Sequence, residues 1–502
     1  MRRTLSITAV AFILCIATVN TTKGQFSGGD GSVGSPYIIT TAAQLAQLAT
    51  LVSAADTAYN DKYYKLANNI DLSAYGAGFN NGKGWIPIGK YSPISAINAP
   101  FKGFFDGDSN IITGLYINDS TLDGAGLFGS TYSANIQNLI LDNVNIRGGS
   151  SVGGLTGNEF NDSYFINCGS SGSIRGENGL GGLVGQIRIN TISSTSFSRC
   201  YSSCNVSGNG HFVGGIVGET GQNCSLMHCY STGNVSGQDY VGGIVGMFLR
   251  FITLRYCYST GNITGNNYVG GIAGYIFSSS LWQGYSTGSI TGNQYVGGIV
   301  GEVDKDCCMT TTIRDFFALN SSIKGNSHVG RIMGLDANDL PTLDNAAYDS
   351  LLNNAGTVLW LNKGANQIDG EDISKDSIHA DGSLGGKFVS SYGWTTQNGK
   401  LPGLFGKPVD MPPHLQKGGS GGTSIAEQNN SDIRVYPNPA QNTLYIQSAE
   451  TVEQVSIYDI SGRMLLQTTR QSIDISHLAN GIYIIKVKTA TGETLKRIVV
   501  SD

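Results

Sequence analysis

The sequence predicts an all-β protein, a right-handed parallel β-helix (a solenoid) followed by a small C-terminal β-sandwich, and three observations carry that reading. The first is a six-residue phrase. It reads VGGLTG from Val152, LGGLVG from Leu180, VGGIVG from Val213 and Val241, VGGIAG from Val269, VGGIVG from Val296 and VGRIMG from Val329, at separations of 28, 33, 28, 28, 27 and 33 residues. The second is an interleaved phrase, CYSTGNVSG from Cys229, CYSTGNITG from Cys257 and GYSTGSITG from Gly284. The third is composition: 70 glycines against 11 prolines, 13% charged residues and 40% apolar ones, so the glycines are positional and a core is affordable.

A period near 28 residues is too short for two helices, and its runs of Val, Ile, Tyr and Thr broken by Gly and Asn are strand and turn chemistry. One such coil cannot bury its own apolar face, so neighbours must stack. At the strand spacing of about 4.8 Å, equivalent residues then fall into columns. Gly-Gly allows backbone to approach where a Cβ would clash, and parallel crossovers favour the right hand.

Taken in order, residues 1–24 read as a cleaved signal peptide: Arg2 and Arg3 precede an apolar run from Ile7 to Val19, too short to span a bilayer comfortably. Residues 25–60 hold a strand and a capping helix, because Leu45, Leu48, Ala49 and Val52 share a helical face and Thr41 with Gln44 forms a capping box. Coils occupy 61–334, and 335–410 read as degenerate final coils and a cap. Residues 411–430, with KGGSGGTS, read as a flexible linker. Short alternating runs such as TLYIQS, VEQVSIYDI and GIYIIKVKT fill a β-sandwich over 431–502.

Two resemblances sharpen this outline. The GGLVG/GGIVG phrase, GLFG at Gly126–Gly129, NNIDLS, WIPIG and FKGFFDG resemble GLUG-motif proteins over most of 26–408. That family implies β-solenoid segments of secreted and surface proteins, several of them adhesin-like. The departures are Arg331, where the phrase loses a glycine, and the stretch after Gly334. YPNPA at Tyr436, YDISGR at Tyr458, HLANGIYIIKV at His477 and the final KRIVV resemble the type A C-terminal sorting domain of type IX secretion. This second resemblance implies a secretion-machinery partner for 431–502 and passage to the outer-membrane surface or the exterior.

No catalytic constellation emerges. None of the six histidines begins an H-E-x-x-H, no cofactor motif is present, and the eight cysteines beyond the signal lack zinc spacing. A net charge of −5 without a Lys/Arg cluster excludes a generally basic nucleic-acid binder, and no second apolar stretch is long enough for a membrane span. Glu302, Asp304 and Asp306 share a face of an extended segment, as cation ligands or glycan-directed acids, or as a solvated loop. Cys168, Cys200, Cys229 and Cys257 occupy one register position, as disulfides or a buried thiol ladder. Phe212, Tyr240, Tyr268 and Tyr295 each precede a Val-Gly-Gly and form an aromatic column, facing a ligand or stacking on one another. The function expected is surface binding or adhesion, to a glycan or a host or matrix surface through a repeated face. A polysaccharide lyase or glycosidase on the same scaffold, and a structural spacer, are the alternatives.

Overall fold

The computed structural model describes residues 25–90, 98–188, 194–304, 311–336, 342–416, 433–448, 451–459, 464–489 and 492–501. The signal segment, Asp306 and most of the linker lie outside these residues. The chain divides into two compact units, Met1–Met411 and Pro412–Asp502.

The first unit is a β-solenoid of about 11 turns, and the all-β expectation holds. One turn shows the plan. Val245–Phe248 enters an eight-stranded sheet, Thr253–Ser259 and Ile263–Thr264 a 25-stranded sheet, and Asn267–Gly270 a seven-stranded sheet. Each strand pairs in parallel with its counterpart one turn away, so Val213, Val241, Val269, Val296 and Val329 stand in one column. Alternation turns Val241, Val245, Phe248, Leu254, Cys257 and Ile263 into a core where none is exposed.

The glycines are explained by backbone crowding. A Cβ on Gly242 would lie 2.0 Å from its own turn's Val245 carbonyl oxygen, and one on Gly243 would lie 2.0 Å from the Gly271 oxygen of the next turn. In the interleaved phrase, Gly261 meets the Gly233 oxygen at 1.9 Å and Gly288 the Gly261 oxygen at 1.8 Å.

At the N-terminal end, a helix over Ala42–Ser53 buries Leu45, Leu48, Ala49 and Val52. Thr41 caps it, its hydroxyl accepting from the Gln44 amide at 3.2 Å. The return bond of a capping box is displaced by one residue: the Gln44 side chain accepts from the Thr40 amide at 2.8 Å.

Residues 342–410 begin as further coils. Ala346–Tyr348 pairs with the last regular turn and Glu371–Ile373 pairs with that strand in turn. The chain then turns back along the side of the coils. The ring of His228 donates to the Tyr392 carbonyl at 2.8 Å, Trp394 Nε1 donates to Gln283 Oε1 at 2.8 Å, and Lys387 Nζ pairs with Asp315 at 2.7 Å. This strap covers the stacked column Tyr230, Tyr258 and Tyr285 with Phe388, Trp394 and Phe405. Of the segment read as linker, 411–416 include a single turn at Pro413–Leu415 with Leu415 buried.

The second unit has two antiparallel sheets, three-stranded and four-stranded. Leu444, Ile446 and Ile473 of one share a core with Val455, Ile457, Ile485 and Val487 of the other.

Candidate functional site

The aromatic column lies at the entry to the seven-stranded sheet. Phe212, Tyr240, Tyr268 and Tyr295 stack at centroid spacings of 5.2, 4.6 and 4.8 Å, the three tyrosines within 4° of parallel, and His328 extends the stack at 4.9 Å. The faces of the rings are therefore occupied by one another. What reaches solvent is the edge of the stack and its phenol groups; the four aromatic rings are half-buried and His328 is exposed. All five residues have φ between 51° and 64°, the left-handed region. A bulky side chain there costs of order 1 kcal/mol. The corner requires that backbone; it does not require an aromatic.

A second column runs beside the first, formed by the residue that follows each phrase: Gln186, Glu219, Met247, Tyr275 and Glu302. Tyr275 meets Tyr240 and Tyr268 edge-on at 5.8 and 5.9 Å, and its hydroxyl donates to Asp304 Oδ2 at 3.3 Å. Glu302 and Asp304, read from the sequence as an acidic group of their own, thus belong to the border of the aromatic column; Asp306 lies outside the described residues. Tyr275 was missed, although its position immediately after the phrase was a legible signal. Burial, then the charge of Asp304, pushes the Glu302 carboxyl up. Burial followed by Glu302, the neighbouring rings and Asp239 pushes Tyr268 up to about 12. Tyr240, pushed up by burial and by Asp239 and Glu302, and Tyr268 therefore stay neutral, able to donate and accept hydrogen bonds, beside carboxylates. Gln186 donates to Glu219, and Arg188 donates to Asn158 Oδ1 at 2.8 Å, continuing the polar border.

The cysteine column is sealed. Cys168, Cys200, Cys229 and Cys257 are free thiols without solvent exposure, and each hydrogen bonds to a backbone carbonyl, Cys200 to Phe165 at 3.3 Å and Cys257 to Arg255 at 3.2 Å. Burial pushes Cys168 and Cys229 well above the usual thiol range. The column ends where the Phe316 ring occupies the space that a side chain at Gly284 would need, 2.7 Å from that Cβ position. Among the described residues no three His, Cys, Asp or Glu side chains gather as metal ligands.

One buried carboxyl was not foreseen. Glu159 points into the core with no exposure, accepts from Thr195 Oγ1 at 2.8 Å, and its other oxygen has no partner. Burial raises its pKa from the ordinary 4.5 to about 7, against the hydrogen bonds from Ser163 and Thr195. Because the folded value is raised, this group's contribution to stability is complete below about pH 4.5. It declines as pH rises towards 7 and is level above, a loss of about 3 kcal/mol in all. Melting temperatures measured from pH 4.5 to 8 are expected to show this decline in the native chain, and Glu159→Gln is expected to flatten it. Parallel curves for the two proteins would assign the pH dependence elsewhere.

A rod of stacked turns with a repeated, half-exposed face, plus a separate antiparallel unit, defines a solenoid protein with an appended domain. Residues 434–501 match the model of the secretion system C-terminal sorting domain, and residues 209–236 match the GLUG motif. The chain is thus a GLUG-motif β-solenoid carrying a type IX sorting domain, exported to the cell surface or the extracellular space. Among the described residues no helix is long and apolar enough to cross a membrane. The chain is 32% identical to halomucin of Haloquadratum walsbyi over 161 residues, 32% of this chain and 2% of halomucin. It is 41% identical to beta-agarase D of Zobellia galactanivorans over 73 residues, 14% of this chain and 15% of that enzyme. It therefore spans only a small part of either relative. A crystal structure of a protein provisionally named an immunoglobulin A1 protease, from Bacteroides ovatus, aligns with 77% of this chain and 96% of its own at 20% identity, with a TM-score of 0.42.

Proposed function

We propose that the exported solenoid is a binding or adhesion protein that holds a glycan of a host or matrix surface along the tyrosine edge. The observation that carries this reading is the repetition of a costly choice: four successive turns place an aromatic residue at a left-handed corner, three of them a tyrosine, and Tyr240 and Tyr268 stand beside Tyr275, which reaches Asp304. A sugar polymer offers hydroxyl groups at regular intervals. Phenols repeated every 4.6–4.8 Å, bordered by carboxylates, supply matching donors and acceptors along a rigid line. Several weak contacts on one rod add through avidity.

Because the ring faces are occupied by the stack, the phenol oxygens are the recognition groups, which separates binding from stability. The triple variant Tyr240→Phe, Tyr268→Phe, Tyr295→Phe keeps the stack and removes only the hydroxyls. Glycan-array and matrix-protein binding by the full chain is expected to fall at least tenfold with the melting temperature within about 2 °C of native. Unchanged affinity for every ligand that the native chain captures would refute the assignment of the tyrosine edge.

A further inference from the structure

We infer that a different face of the solenoid, centred on Trp282 and Arg255, binds an acidic polysaccharide. The tyrosine edge hides its ring faces; the exposed rings of the coils, Tyr132, Tyr164, Phe251 and Trp282, lie elsewhere. Tyr164 and Trp282 point outward from one side of the 25-stranded sheet, and Tyr132 and Phe251 stand at the corner leading into it.

Cations accompany two of these rings. Lys102 Nζ lies 5.3 Å from the Tyr132 centroid, and the Arg255 guanidinium lies 4.4 Å from that of Trp282. Arg255, Trp282 and Arg314 are register partners in three successive turns. Their charges are not equivalent. Arg314 is neutralised by Asp315 at 3.4 Å and Asp344 at 3.3 Å. Arg255 has no carboxylate partner among the described residues, and its Nε is buried without a hydrogen bond. In a chain of net charge −5, this is an uncompensated guanidinium held against an exposed indole.

That pairing defines the ligand by complementarity. A guanidinium offers a planar fork of donors to carboxylate or sulfate, and stacking on the indole fixes it in place before binding. The apolar face of a sugar ring suits an exposed indole. An extended sugar chain carrying anionic groups satisfies both.

The protein contains its own reporter. Trp85, Trp360 and Trp394 are buried, which leaves Trp282, at 40% exposure, as the tryptophan open to acrylamide quenching. Polygalacturonate or dextran sulfate added to the full chain at low salt is expected to reduce the quenching constant at least twofold. Neutral dextran is expected to leave it unchanged, and 0.5 M salt to reverse the protection. Arg255→Gln is expected to raise the midpoint concentration at least tenfold, and Arg255→Lys to restore part of the loss. Trp282→Ala, which removes the reporter, is followed by retardation in polygalacturonate gels and is expected to lose it, with an unchanged melting curve confirming the fold. The phenylalanine triple variant of the tyrosine edge is expected to keep this binding, so the two faces fail independently. Absence of protection by either polyanion, an unaltered midpoint in Arg255→Gln, or equal protection by duplex DNA at matched charge would each overturn the inference.

Discussion

Gly243→Ala is expected to remove at least about 3 kcal/mol of stability and to break the solenoid's unfolding into two transitions. The added methyl would stand 2.0 Å from the Gly271 oxygen and 2.3 Å from Ser259 Oγ. The serine can rotate away, but the carbonyl cannot. Gly243 donates to the Gly270 carbonyl at 3.2 Å and Ile244 to Ile272 at 2.9 Å, so separating the turns enough to admit a Cβ stretches the ladder on both sides of the substitution. Overpacking in a well-packed core costs about 1–3 kcal/mol where side chains can yield, and more where only backbone is available to move. Since each turn contacts only its neighbours, one failed interface uncouples the turns before it from those after it. Denaturant unfolding followed by far-UV circular dichroism should become biphasic. Gly78, with nothing within 4 Å of its Cβ position and no left-handed backbone, is the control, and Gly78→Ala is expected to be neutral. A single transition at native stability for Gly243→Ala would mean that the turns are not locked by these glycines.

That dependence on glycine is also why the fold was legible. A rigid stack writes the same steric demand into every turn, so Gly242, Gly270 and Gly297 repeat because their surroundings repeat. Columns could be read for the same reason, and the residues before and after each phrase predicted lines of side chains. Sequence spacing did not fix how those side chains lie. It gave Phe212, Tyr240, Tyr268 and Tyr295 as a row, facing a ligand or stacking on one another, but not which of the two, nor that Tyr275 and Glu302 border them. The strap was beyond reach for a different reason. Its contacts, Trp394 with Gln283, Lys387 with Asp315 and Tyr392 with His228, are made once each between residues 72 to 164 positions apart, and no period announces them.

Restoring the repeat at its one conspicuous lapse is expected to harm the protein. In VGRIMG the second glycine is Arg331, and the sequence alone reads this as decay. Yet the equivalent Gly298 is a glycine because the Arg331 carbonyl of the following turn would sit 2.2 Å from its Cβ, whereas beyond Arg331 the regular turns stop and that constraint ends. The side chain fills the vacated place. Fully buried, it donates from Nε to the Asp369 carbonyl at 2.7 Å, from Nη2 to the Gly370 carbonyl at 2.8 Å and from Nη1 to Asp372 at 2.6 Å, while its backbone amide donates to Asp369 Oδ1 at 2.9 Å. Burial pushes the Asp372 carboxyl up, but its bonds to Arg331 and Lys363 outweigh this and hold it below the usual range. Arg331→Gly matches the motif better, but it leaves the Asp369 carbonyl without a donor, the Gly370 carbonyl with only the Gly364 amide at 2.9 Å, and a cavity the size of a guanidinium. With the half-exposed Asp372 pair discounted for solvent screening, the loss is expected to be about 3 kcal/mol. The damage should be local: hydrogen exchange is expected to quicken across 342–373 and stay near native in the turns before Val296. Arg331→Lys keeps the charge but lacks the fork, so it should recover only a minor part. If Arg331→Gly matched or exceeded native stability, the arginine would be a tolerated lapse rather than the residue that closes the regular stack.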